Sequence, residues 1–172
     1  MVIKLTKKLF KFIYFMQLSE YSHGSFQITG YKISTTNKDR QSGKDIMEAW
    51  KKFLTENMAD LVENKEYPSL HCVYFNYTNP ENVDERGYDM LLGFITKEGA
   101  SQTNPELTTI TIPAQDYKYI LVKGEMPASL IKTWGEINAM PEAELNRSFG
   151  YDMDMYSEDG TECTLTVSVK NN

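Results

Sequence analysis

The stretch "DIMEAWKKFLTENM", residues 45–58, decides how the rest of the chain is read. Ile46, Ala49, Trp50, Phe53 and Leu54 recur at i, i+3, i+4, i+7 and i+8, the spacing of one apolar face of an amphipathic helix. Ser42, with Asp45 three positions on, makes an approximate capping box at its start. A second helix is expected in "PASLIKTWGEINAM", residues 127–140, where Leu130, Ile131, Trp134 and Ile137 share a face. Pro127 suits its first turn, and Pro141 helps to end it. Placing "IMEAW" (46–50) over "LIKTW" (130–134) aligns the chain's two tryptophans at equivalent helix positions, an offset of 84 residues.

Working outward, the same signals flank both helices. "SFQITGYKISTTN" (25–37) is a β-rich opening strand, and "LHCVYFNYT" (70–78) and "GYDMLLGFIT" (87–96) follow as a pair joined by a polar loop. "GASQTNPE" (99–106) breaks any regular element and marks an internal boundary. The second half runs "LTTITIPAQDYKYILVKG" (107–124), with Pro113 splitting the strand or placing a bulge, then the second helix. "RSFGYDMDMYS" (147–157) and "TECTLTVSVK" (161–170) complete it. The expectation is an α+β fold of two strand-helix-strand-strand units, about residues 23–98 and 106–170. Their edges join into one antiparallel sheet carrying two main helices, with a ligand groove between the repeats. Residues 19–172 would form a single domain behind an N-terminal extension, 1–18.

With 172 residues, 41% hydrophobic and 24% charged, the chain is long enough for a core that needs neither disulfides nor metal. Cys72 and Cys163 lie in apolar runs without CxxC or CxxH neighbours, so buried free thiols in a reducing cytoplasm are expected, and no metal or cofactor. His71 adjoins Cys72, and on a strand their side chains point to opposite faces, which argues against a cysteine–histidine dyad. Lys4, Lys7, Lys8 and Lys11 lie in a first segment that has no acid, leaving 24 acids against 14 bases in the remainder. Such a body repels phosphate backbones and better suits a cationic small molecule. In "MVIKLTKKLFKFIYFMQL" (1–18) Lys11 interrupts the apolar run and no small-residue cleavage site follows, so neither a secretory signal nor a membrane span is expected. An added strand or helix, a surface-binding amphipathic segment, or an upstream start with the domain beginning near Met16 remain open.

"GYDMDMYSEDG" (150–160) places two carboxylates where a strand is expected. Strand alternation puts Asp152, Asp154 and Tyr156 on one face and Tyr151, Met153 and Met155 on the other. That acidic face is either simply solvated or a carboxylate set in an aromatic groove, where a lipophilic cation offsets a charge that is costly to bury. In the second case burial raises the aspartate pKa, and binding weakens at low pH. Trp50 and Trp134 are core residues or ligand platforms by the same pattern, and Tyr74 and Tyr88 are further aromatic candidates. Alternation in "VYFNYT" sends Tyr74 and Tyr77 to opposite faces, so at most one of them is expected to line a given groove.

Together "ITGYKIST", the Trp50 helix, "VYFNYT", "GYDMLLGF", "IPAQDYKYILVKG", the Trp134 helix and "DMDMY" resemble, in order and spacing over about residues 24–169, the GyrI-like small-molecule-binding domains. That family also supplies effector-binding domains of AraC-type and MerR-type multidrug-responsive regulators. The chain looks like the effector domain alone and is similar to stand-alone members, which include mobile-gene-cassette proteins that bind cationic amphipathic compounds and a DNA gyrase inhibitor. In drug-binding members an aromatic pocket between the repeats holds a glutamate in a motif resembling D-F-E-x-Y. "DMDMY" matches it as Asp152 to Tyr156, with Asp154 in the glutamate position and one methylene shorter. The resemblance implies a cytoplasmic receptor or sequesterer of cationic or amphipathic molecules, with Asp154, Tyr156, Trp134, Trp50, Tyr74 and Tyr88 at the ligand and no catalytic residues. Some relatives resemble hydrolases of electrophiles that use a tryptophan with a glutamate, which would make Trp134, Asp154 and Glu136 the candidates. Trp134 and Glu136 diverge on a helix, so only Trp134 is expected to face Asp154. A protein partner such as gyrase or a transcription factor is a third possibility that leaves no motif.

Overall fold

Helices form where the 3.6-residue periodicity lies, and strands where β-branched and aromatic residues cluster. The computed structural model describes residues 16–171, so the alternatives for residues 1–15 lie outside the described residues. The elements are β1 (Ser19–His23), β2 (Phe26–Thr36), α1 (Gln41–Thr55), α2 (Met58–Leu61), β3 (His71–Thr78), β4 (Gly87–Thr96), β5 (Thr108–Ile112), β6 (Gln115–Val122), α3 (Ala128–Ala139), α4 (Glu142–Leu145), β7 (Asp152–Tyr156) and β8 (Cys163–Val169). Among the described residues no helix is long and apolar enough to cross a membrane.

All eight strands join one antiparallel sheet in the order β1-β6-β8-β7-β3-β4-β2-β5. Its centre is the β3–β7 seam, paired from His71↔Met155 to Tyr74↔Asp152. On either side of the seam the order repeats: β3-β4-β2 in one half and β7-β8-β6 in the other. This is the two-unit architecture expected from the matched helices. The marginal strands are exchanged, because β1 leads into β2 but pairs with β6, while β5 leads into β6 but pairs with β2.

That exchange bends the sheet. Only Pro113 and Ala114 separate β5 from β6, so Ile112 and Gln115 lie within about 11 Å of each other although their strands sit near opposite margins. The sheet therefore curls around a core containing Ile28, Val73, Phe75, Leu91, Ile112, Tyr117 and Met153. On the outer face α1 packs Ala49 and Phe53 against Cys72, Met90 and Leu92. There α3 packs Leu130 and Ile137 against Cys163, Leu165 and Val167. The central strands are thus covered on both faces, which explains buried residues at successive positions of β7.

Gly30 and Gly93 face each other across β2 and β4. A Cβ on Gly30 would overlap the Leu92 carbonyl oxygen, and one on Gly93 would overlap that of Thr29. The two backbones approach too closely for any side chain, the usual reason for glycine inside a strand. Gly93→Ala should therefore cost about 3 kcal/mol in urea unfolding, at the upper end of overpacking effects; a loss below about 0.5 kcal/mol would show that the strands separate freely.

Several local expectations change. Helix α1 begins four residues before Asp45, and Ser42 lies inside its first turn instead of capping it; Arg40, at φ 60°, stands at the boundary without a side-chain cap. The Asp45 carboxylate accepts from Thr35 Oγ1 and Gln41 Nε2, both at 2.6 Å. Leu54 and Ile131, expected on the buried helix faces, are 63% and 68% exposed. Between Phe75 and Thr78 the register shifts by one residue, with Asn76 at φ 53°. This β-bulge cancels the alternation, so Tyr74 and Tyr77 turn to the same face, contrary to strict strand parity.

Candidate functional site

The outer face of the sheet leaves a cavity of about 820 Å³ between α1 and α3. Ser42, Gly43, Ile46, Met47 and Trp50 form the α1 wall. Leu130, Ile131, Trp134 and Asn138 form the α3 wall, with Met126 and Pro127 at its start. Tyr74, Tyr77, Tyr88 and Tyr156 come up from the sheet, and Arg86 and Arg147 from the chain just before β4 and β7. Ile131, expected to be core but found exposed, belongs here: with Met47, at 66%, it forms an apolar rim, whereas Leu54 lies outside the cavity.

The two tryptophans occupy matching places. Trp50 meets Tyr156 edge to face with ring centres 5.5 Å apart, and Trp134 meets Tyr74 in the same way at 5.4 Å. Such T-shaped pairs fix the rings while leaving part of each face available. Tyr88 lies across from both Tyr74 and Tyr77, at 5.9 and 5.8 Å, and donates its hydroxyl to Asn37 Oδ1 at 3.2 Å. Trp50, Trp134, Tyr74, Tyr88 and Tyr156 therefore converge on one cavity, as a groove between repeats requires.

Asp154 stands one layer deeper. Its side chain is fully buried, and it is absent from the cavity lining. Tyr74 Oη donates to its Oδ2 at 2.7 Å and Trp134 Nε1 donates to its Oδ1 at 2.9 Å. No described lysine or arginine pairs with it. Burial pushes its pKa up to about 7, against the opposing pull of the Tyr74 and Trp134 hydrogen bonds and with a further push from Asp152. The carboxylate is thus an unpaired acid beneath an aromatic floor, reached through the two rings that hold it.

Asp152 is neither solvated nor a simple neighbour of Asp154. It is fully buried and ion-paired with Arg147, whose Nη2 and Nε donate to Oδ2 at 2.7 and 3.1 Å. Tyr77 Oη donates to the same oxygen at 2.6 Å, and Ser168 N and Oγ donate to Oδ1 at 2.7 and 3.0 Å. Burial alone would weaken the hold of Arg147 on its proton, but Asp152 and Tyr77 outweigh it and leave the pKa raised. Glu136 does not reach the site; it lies 3.7 Å from Lys132 on the open side of α3. Among the described residues no cluster of His, Cys, Asp and Glu could hold a metal ion.

Arg86, Arg147 and Asn138 are lining residues that sequence reasoning missed, and Tyr77 is one that strand alternation set against Tyr74. The usable signal was residue choice: the chain has 15 lysines and three arginines, two of which line this cavity. Arginine is the residue suited to buried, forked hydrogen bonding, so its sparing use in a lysine-rich chain marks such positions.

A curled, duplicated sheet with one cavity between paired helices defines the class of GyrI-like effector-binding modules. The chain belongs to the integron-associated effector binding protein family (Cass2), whose model matches residues 22–169. An integron cassette protein from the mobile metagenome of Vibrio cholerae has the same fold, with a TM-score of 0.69 at 19% identity over 89% of this chain and 95% of that one. The protein SAV2435, solved bound to tetraphenylphosphonium, superposes with a TM-score of 0.71 at 16% identity over 91% of this chain and 95% of that one. No curated protein sequence is a significant match.

Proposed function

We infer that this protein binds a cationic, largely aromatic small molecule in the cavity between α1 and α3, as a receptor or sequesterer. One observation carries the reading: a fully buried carboxylate, Asp154, lies without a cationic partner among the described residues, directly beneath the aromatic floor of a cavity large enough for a drug-sized molecule. An isolated buried charge is costly, and a bound cation offsets it. Trp50, Trp134, Tyr74 and Tyr156 add cation–π attraction of roughly 0.5–2 kcal/mol per well-placed ring. The tetraphenylphosphonium complex of SAV2435 supports a lipophilic monocation as the first probe. A cytoplasmic setting is consistent with the two buried free thiols. We take residues 19–172 as the functional unit.

Both tryptophans line the cavity, so tetraphenylphosphonium should change their emission in a saturable way. A flat titration up to millimolar ligand would reject the reading.

A hydrolytic reading has one point in its favour, the contact of Trp134 with Asp154. Against it, both Asp154 oxygens already accept hydrogen bonds from Tyr74 and Trp134, and Glu136 faces away. The arrangement fits holding a charge better than activating water.

A further inference from the structure

The cavity carries a second electrostatic feature that a purely cationic ligand leaves unused. Among its lining residues the only formal charges are two guanidinium groups, Arg86 and Arg147, 5% and 3% exposed. Arg147 has the Asp152 carboxylate, but Arg86 has no carboxylate at all among the described residues. Its Nε and Nη2 donate to the Pro80 carbonyl oxygen at 2.9 and 2.6 Å, and its Nη1 donates to Asn138 Oδ1 at 2.8 Å. Arg147 Nη1 donates to the same Asn138 oxygen at 3.0 Å, and the Phe149 ring lies against both guanidiniums at 4.8 and 4.5 Å. One side-chain amide oxygen and one ring thus serve two cations.

Counting donors defines what is missing. A guanidinium has five N–H bonds, and Arg86 spends three of them on Pro80 and Asn138. Two remain, one on each terminal nitrogen, the number that a carboxylate accepts with its two oxygens. Burial and the neighbouring Arg147 charge both press the Arg86 pKa downward, as expected for a cation short of a counter-ion. Arginine keeps its proton in such places, so the charge must be met by a partner, not removed. Asp152 and Asp154 do not serve: Asp152 pairs with Arg147, Asp154 accepts from Tyr74 and Trp134, and neither forms an ion pair or a hydrogen bond with Arg86.

We propose that Arg86, backed by Arg147 and Asn138, forms a carboxylate-binding subsite, so that the preferred ligand is an aromatic zwitterion. Its delocalised cation lies over Tyr74 and Trp134 above Asp154, and its carboxylate takes the two remaining N–H bonds of Arg86. The inference rests on the cation reading above and extends it. With Asp154 ionised the four buried charges cancel, and a zwitterion preserves that balance where a simple cation does not.

The test compares rhodamine B, a xanthylium cation bearing a free carboxylate, with its ethyl ester, which keeps the cation and masks the acid. Binding is read by fluorescence anisotropy at pH 8. The expected result is at least tenfold tighter binding of the acid by the parent protein, with the acid-to-ester ratio falling to near one in Arg86→Gln. Arg86→Lys, which keeps the charge but not the fork, should give an intermediate ratio. Equal binding of acid and ester by the parent overturns the subsite while leaving the cation reading in place, and it needs no variant. A preference that persists in Arg86→Gln also overturns it. Binding of neither dye overturns both.

Discussion

Asp154→Asn is expected to bind tetraphenylphosphonium roughly 50- to 100-fold more weakly than the parent at pH 8. The estimate follows from a unit charge one side-chain layer away, about 6.5 Å, at an effective dielectric of about 20, which gives about 2.5 kcal/mol. An asparagine keeps the hydrogen-bonding geometry, because its oxygen still accepts from Trp134 Nε1 and its amide can donate to a reoriented Tyr74 hydroxyl. In the parent, affinity should fall as pH drops below about 7, where Asp154 takes up its proton. Binding in that range should release a proton, seen as a buffer-dependent enthalpy in calorimetry; the variant should show neither effect.

Stability should move the other way. The folded protein keeps a proton on Asp154 up to about pH 7, whereas the unfolded chain loses it near the ordinary aspartate value of about 3.9. The contribution is therefore fully present below about pH 4 and is lost as pH rises through 7, by up to about 4 kcal/mol. Asp154→Asn escapes that loss and should be the more stable protein at pH 8 while binding worst. Equal affinity of variant and parent at pH 8 would remove Asp154 from the site.

The second large effect belongs to Arg147. Arg147→Ala leaves Asp152 fully buried with only the neutral donors Tyr77 and Ser168, and should cost about 3–5 kcal/mol in urea unfolding. For a chain of this size that corresponds to a fall of roughly 10 °C in Tm. Adding Asp152→Asn removes the orphaned charge and should recover part of the loss, because most of the penalty is the unpaired anion. A single variant within about 1 kcal/mol of the parent would mean that water reaches Asp152.

The two effects separate the carboxylates that the sequence presents as a pair. Asp152 and Asp154 share strand parity and full burial, yet one is tied to a guanidinium and the other to two aromatic donors. Strand alternation in "DMDMY" does not distinguish them, and the family resemblance singles out Asp154 without giving the physical difference, which comes from Arg147 and Trp134, five and 20 residues upstream of their partners. Tyr77 was hidden for a related reason: the bulge at Asn76 depends on pairing with β4, and one inserted residue reverses the face.

The sequence by itself determined the two-unit architecture, because periodicity and turn chemistry are local and the aligned helices brought Trp50 and Trp134 to equivalent positions. It also pointed to the aromatic set that lines the cavity, since those residues lie on the same helix or strand faces that the patterning defines. Tertiary structure alone decided that β1 and β5 exchange halves and curl the sheet, that Asp154 lies beneath the floor and not on it, and that Arg86 enters the cavity without an acid partner among the described residues. Each of these depends on which strands become neighbours across long stretches of chain. Burial, which sets the cost of a charge and the partner it must find, exists only once those neighbours are in place.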